Sequence, residues 1–229
     1  MTGMVQGAVK ADVCVPVEVS NEALSRPLLI TDMLRRLFLF GPSEAVLGLV
    51  LAAAEANGGS GSLASAVTAL CDAIDTGIEG GEEWMSDLSV EWARLIVGPA
   101  QTPAVPYASF YLSETRLVMT EETLAVRRQY LDAGLALHHD VRLPDDHLGI
   151  ELDFLYFLER EIVIAGALGD VSKAGETRAR RDEFVDGHLV MWLPRFVADL
   201  SAASTFAFVH AVSATLLALL IAVEPSSQG

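Results

Sequence analysis

Residues 201–223 contain no Asp, Glu, Lys or Arg. A run of that length and composition must satisfy its backbone polar groups internally, so it is a helix. It is long enough to cross a bilayer. A helix through the middle of a bundle has the same make-up, apolar on every side. The run is rich in Ala, Ser and Thr, and no Lys or Arg flanks its C-terminal end, where membrane spans usually carry anchoring charges. On the segment alone both readings stand.

The rest of the chain repeats the helical theme. Apolar residues recur at helical spacing over 21–40 and stop at Gly41-Pro42. Ser43 caps a helix over 44–56, and a Gly-rich stretch at 57–61 closes it. Further helices are predicted over 62–75, 82–97, 120–137, 146–168, 175–200 and 201–223, with a loop at 77–81. Three prolines within 99–106 make that segment an extended connector. No strand alternation and no internal repeat appear. The expectation is an all-α protein, a single-domain helical bundle of about eight to ten helices spanning 21–225. Residues 1–20 read as a flexible N-terminal extension.

Charge narrows the partners. With 15 basic and 31 acidic residues the net charge is −16. Such a surface repels nucleic acid and attracts basic peptides. Cys14 and Cys71 form no CxxC pair and no disulfide framework, so both read as thiols in a reducing compartment. The hexapeptide Leu34-Arg35-Arg36-Leu37-Phe38-Leu39 looks like the core of a twin-arginine export signal. Glu44, directly before the following apolar run, and the Gly-Pro break at 41–42 argue for an ordinary helix end.

One helix concentrates polar groups on its apolar stripe. At about 100° per residue from Leu148, the side chains of Leu152, Leu155, Leu158 and Ile162 share one arc. Asp153, Tyr156 and Arg160 fall opposite. Glu151 and His147 land inside the apolar arc, one turn apart, and buried polar groups need partners. The simplest arrangement is a His147–Glu151 pair, with Asp145 or Asp146 as N-cap and Pro144 in the first turn. Two other uses fit the same residues: a ligand pocket at the helix start, or a metal site.

Motifs for catalysis are missing. There is no G-x-S-x-G, HExxH or phosphate-binding loop. A helical-bundle metal hydrolase using His147, Glu151 and His138 or His139 is the alternative reading. A membrane-anchored adaptor using 201–223 is another.

Two ordered segments resemble a known family. Glu91-Trp92-Ala93-Arg94-Leu95-Ile96-Val97-Gly98-Pro99, followed by Pro106-Tyr107-Ala108-Ser109-Phe110-Tyr111-Leu112, resembles its aromatic-x-R-L-F-x-G-P…P-P-Y/W-x-S-V-Y/W-L signature. Residues 144–155 resemble its P-[DE]-D-H-[IF]-x-x-E-L-x-F-M signature. A looser third match covers 184–189 and 192–196. The chain departs from the pattern at Ile96, at Ala104-Val105 and at Ala108. The family is that of the TorD/DmsD/NarJ-type redox-enzyme maturation chaperones.

The resemblance implies a cytoplasmic, non-enzymatic, all-α chaperone with no cofactor or metal of its own. Its partner would be the twin-arginine leader or apo form of a molybdopterin-dependent oxidoreductase, held until cofactor insertion and proofread before export. It implies no nucleic acid, no stable membrane insertion, and a monomer or homodimer. Carried over by position, the peptide-binding residues are Trp92, Leu95, Gly98, Pro99, Pro144, Asp146 and His147. Tyr107, Tyr111 and Glu151 are structural members of the signatures. Asp146, at the helix mouth, is the candidate for meeting an arginine. Trp92 and Leu95 fit a pocket or the core equally well.

Overall fold

The computed structural model describes residues 4–6, 26–55, 61–98, 102–138 and 140–224. The bundle is assembled from α1 (Arg26–Phe40), α2 (Glu44–Glu55), α3 (Ser62–Glu79) and α4 (Trp84–Trp92). A π-helical turn, Ala93–Val97, extends α4. Then come the short α5 (Ala108–Leu112), α6 (Glu121–Asp132), α7 (Leu148–Ala167) and α8 (Val171–Phe184). A second π turn, Val185–Leu189, leads into α9 (Val190–Ala202), and α10 (Ala207–Val223) follows. The all-α expectation holds.

α7 is the axis of one half and α10 of the other. α7 packs along α1 on one side and α8 on the other, whereas α10 packs along α3 and α9. Gly149 sets the first of these crossings. A Cβ there would meet Leu39 Cγ at 2.8 Å and Leu39 backbone N at 3.1 Å, so only a bare Cα lets α1 lie this close.

α7 is buried on more than one side, which changes the wheel reading. Asp153, predicted opposite the apolar arc, is 1% exposed and accepts from Arg35 Nη1 at 2.8 Å. Arg35 also pairs with Asp32 and lies 4.4 Å from the Tyr156 ring centroid. The Arg35-Arg36 pair therefore belongs to the bundle interior and its edge. Arg36 pairs with Asp32 one turn back.

Several predicted boundaries move for local reasons. The 62–75 helix runs on to Glu79, through the predicted loop, because Gly77 leaves room for the Trp84 ring to fold onto it. The 120–137 helix stops at Asp132, and Leu135–Leu137 forms a strand β2 instead. β2 pairs antiparallel with β1 (Met4–Gln6), Met4 opposite Leu137. This overturns the expectation of no strand and places residues 4–6 of the N-terminal extension in a two-stranded ribbon. The helix beginning at 146 starts at Leu148, and the one beginning at 175 starts at Val171, capped by Asp170.

The uncharged run at 201–223 is two elements. α9 ends at Ala202, and Ser204 Oγ accepts from Phe206 N ahead of α10. Among the described residues no helix is long and apolar enough to cross a membrane. α10 fills the core with Phe208, Val212 and Leu216 instead.

Candidate functional site

The two signature segments interlock. The connector after the first π turn arrives extended at Tyr107, which forms an antiparallel bridge with His147. Leu148 N donates to Pro106 O at 2.9 Å, and Ala108 N donates to Asp146 O at 3.0 Å. Ser109 N, in the first turn of α5, donates to Asp146 Oδ2 at 2.8 Å. The Tyr107 and His147 rings meet edge-on at 5.2 Å. One short crossing thus joins residues almost 40 positions apart in the chain.

Asp146 is fully enclosed. Its carboxylate serves Ser109, while Asp146 Oδ1 and Ser109 Oγ stay buried without hydrogen-bond partners. Its neighbour Asp145 pairs with an arginine of the same chain. Asp145 Oδ2 accepts from Arg127 Nε and Nη2 at 3.0 and 2.5 Å, and Asp145 O accepts from Tyr130 Oη at 2.8 Å.

His147, not Asp145 or Asp146, is the N-cap of α7. Its Nδ1 accepts from Gly149 N at 3.1 Å, so Nε2 carries the proton. Burial pushes its pKa down to about 4. The predicted His147–Glu151 pair does not form. Glu151 reaches across the bundle instead: Oε1 lies 2.7 Å from His188 Nε2, and Oε2 accepts from Trp192 Nε1 at 3.1 Å.

Burial raises the Glu151 pKa, and the His188 charge and hydrogen bond oppose that rise. Burial presses His188 down, but the charge and hydrogen bond of Glu151 outweigh it and the net shift is upward. The second π turn points His188 at α7. Long-range pairing of this kind leaves no trace in helical spacing. The available signal was the third sequence match, which contains both His188 and Trp192.

The first segment is anchored as firmly. Trp92 is 2% exposed and packs against Phe38 at 5.2 Å, and Leu95 is fully buried. Both sit in the core, which decides the pocket-or-core alternative. Arg94 clasps Glu91 with two 2.7 Å bonds and donates to Ala203 O at 2.6 Å. Ser204 Oγ donates to Glu91 Oε1 at 2.6 Å, so the end of α4 is tied to the α9–α10 turn. Tyr111 stacks on Trp192 at 5.7 Å and donates to Asp199 Oδ2 at 3.0 Å. Burial first, then Asp199, holds its hydroxyl well above the usual phenol range. Gly98 and Pro144 are half-buried, and Pro99 and His139 lie outside the described residues.

Among the described residues no three His, Cys, Asp or Glu side chains gather as metal ligands. His138 pairs with Asp140, whereas Glu151 pairs with His188 and Trp192.

Residues 60–198, more than half of the chain, match the family described as nitrate reductase delta subunit. The chain belongs to that family, the TorD-like chaperones. It is 27% identical over 157 residues to a chaperone protein TorD of Vibrio parahaemolyticus, covering 69% of this chain and 71% of that one. To the chaperone protein TorD of Aliivibrio salmonicida it is 29% identical over 159 residues, 69% of this chain and 70% of the other. The matched region of this TorD-like chain includes the crossing at Tyr107 and His147, the Glu91–Arg94 clasp and the Glu151–His188–Trp192 cluster.

Beside the crossing, the TorD-like bundle opens into a surface groove of about 540 Å³. Arg127 and Asp145 form its polar side, and Met119, Leu131, Leu137 and Pro144 its apolar side. Pro144 is the one residue of the predicted binding set that lines it. Trp92, Leu95, Asp146 and His147 are buried.

Proposed function

We propose that this chain is a redox-enzyme maturation chaperone that binds the twin-arginine leader, and the apo form, of a molybdopterin-dependent oxidoreductase. It acts in the cytoplasm, without catalytic turnover. The observation that carries this reading is the family membership, together with relatives described as TorD chaperones. The net charge of −16 supports it, because a leader presents adjacent guanidinium groups before an apolar segment.

The buried residues then have a definite role in binding. Asp146 and His147 fix the crossing of the two segments, Trp92 and Leu95 pack in the core beneath the first of them, and peptide contact falls to the surface that this framework shapes. A framework of that kind lets a leader dock without reorganising the core.

Calorimetry with a synthetic leader tests the proposal. Binding of an Arg-Arg leader that weakens at least about tenfold on changing both arginines to Ala supports it. Equal affinity for the two peptides removes arginine recognition, and no binding of either removes the leader-binding role.

A further inference from the structure

Arg195 lies one turn before Asp199 in α9, the spacing of a helical ion pair. That pair does not form. Asp199 Oδ2 accepts from Tyr111 Oη at 3.0 Å, and Arg195 Cζ lies 5.6 Å from the centroid of the Tyr111 ring. A second arginine reaches the same place from the α5–α6 connection. Arg116 Cζ lies 4.9 Å from the Phe110 ring centroid, and the Phe110 and Tyr111 rings meet edge-on at 5.1 Å.

Both arginines line one surface hollow of about 450 Å³, with Tyr111, Ser113, Ala198 and Asp199 as its other walls. Both are exposed. Among the described residues neither guanidinium has a carboxylate partner. The hydroxyls of the hollow are engaged: Tyr111 donates to Asp199, and Ser113 Oγ donates to Leu117 O at 3.3 Å. The N–H groups of Arg116 and Arg195 are therefore the side-chain donors that the hollow offers.

The backbone points the same way. Arg116 has a φ of 53° and Met119 a φ of 61°, in the left-handed region that residues with a Cβ rarely enter. Strain of this kind gathers at binding sites. Here it accompanies an Arg116 guanidinium held over Phe110, with Leu117 and Val118, 60% and 42% exposed, next to it in the chain.

Charge selects the ligand. Two guanidinium groups and the Asp199 carboxylate leave the hollow with a single net positive charge. That matches one carboxylate better than a phosphate dianion. The chain as a whole carries −16, which repels a free small anion at a distance. A carboxylate carried on a peptide also brings apolar contacts to offset that repulsion, and Leu117 and Val118 are exposed to receive them.

We propose that this hollow binds a Glu or Asp side chain from an acidic, partly apolar segment of a partner protein. Arg116 and Arg195 grip the carboxylate, and the residue beside it packs on Leu117 and Val118. The site goes beyond the leader-binding reading, because it takes a segment of the opposite charge.

The probe is a synthetic, end-capped peptide of alternating Glu and Leu, titrated into the full chain by calorimetry beside its Gln-for-Glu counterpart. Arg116→Gln with Arg195→Gln removes both guanidinium groups from exposed positions. Arg178→Gln with Arg180→Gln, on exposed positions of α8, changes the net charge equally and serves as the control. Circular dichroism and the urea midpoint confirm folding of each variant.

The Arg116 and Arg195 variant is expected to weaken the Glu peptide about tenfold or more, and the α8 variant to change it by less than about twofold. Wild type is expected to bind the Gln peptide about tenfold more weakly than the Glu peptide. Inorganic phosphate, at matched ionic strength, is expected to leave the titration unchanged. Binding that persists in the Arg116 and Arg195 variant, or that weakens equally in the α8 variant, overturns the site. A Gln peptide that binds as tightly, or a wild-type chain that binds neither peptide, overturns it as well. Displacement of the peptide by phosphate overturns the carboxylate assignment. Each of these failures leaves the leader reading standing, since that is measured with a different peptide.

Discussion

Glu151 Oε1 and His188 Nε2 lie 2.7 Å apart in the buried centre of the bundle, joining α7 to the second π turn. Glu151 is fully enclosed and His188 is 6% exposed. Removing one partner strands the other without solvent. Glu151→Ala is expected to cost about 3–5 kcal/mol, because it leaves His188 and the Trp192 N–H unpaired. Glu151→Gln, which keeps an acceptor for Trp192, is expected to cost less. Urea denaturation with fluorescence detection measures both.

His147 gives the protein an acid-sensitive joint. Its folded pKa of about 4 lies below the ordinary 6.5, so the folded state binds fewer protons than the unfolded one. Stability is full above 6.5 and falls as pH drops towards 4, by about 3 kcal/mol at roughly 1.4 kcal/mol per unit. A proton on Nδ1 would also face the Gly149 N–H that it now accepts. His147→Asn keeps a cap acceptor without the titration. It is expected to flatten the stability profile between pH 4 and 6.5.

His188 acts in the opposite direction. Its folded pKa is raised, so its contribution is full below the ordinary 6.5 and is lost as pH rises through the folded value. Glu151→Gln removes the charge that sustains the rise. Denaturation of this variant across pH 6–9 is expected to show a shallower decline on the alkaline side than wild type, at about one proton's linkage.

Arg35 and Asp153 join α1 to α7 with both side chains buried. Asp153→Ala is expected to lower stability by about 3 kcal/mol, because it removes a buried partner of Arg35 and leaves that cation with Asp32 and the Tyr156 ring among the described residues. The double change Arg35→Met with Asp153→Leu is expected to recover most of that loss, since an apolar pair tolerates burial. Thermal and urea unfolding of wild type, Asp153→Ala and the double variant measure the loss and its recovery.

Gly149→Ala tests the α1–α7 crossing. The added methyl would sit 2.8 Å from Leu39 Cγ and 3.1 Å from Leu39 N, and the backbone contact cannot be relieved by a rotamer change. A loss of about 1–3 kcal/mol is expected. Leu39→Ala in the same chain is expected to restore only part of it, because the backbone clash remains.

The sequence by itself determined the fold class, the family and the order of most helices. Helical spacing and the Gly-Pro stop at 41–42 are local properties, set within a few residues by backbone sterics and side-chain periodicity. It also determined that Glu151 and His147 would face the interior. Tertiary structure decided what met them there. Glu151 pairs with His188, 37 positions away, and Asp146 binds Ser109 N over the same separation. Asp153, which a single-sided helix would have left in water, is buried because α7 has neighbours on more than one side. At the break at 203–206 a distant residue, Arg94, donates to the Ala203 carbonyl. Periodicity reports one helix's view of its own surface. Which partner satisfies a buried charge depends on how several helices pack, and that information is not local.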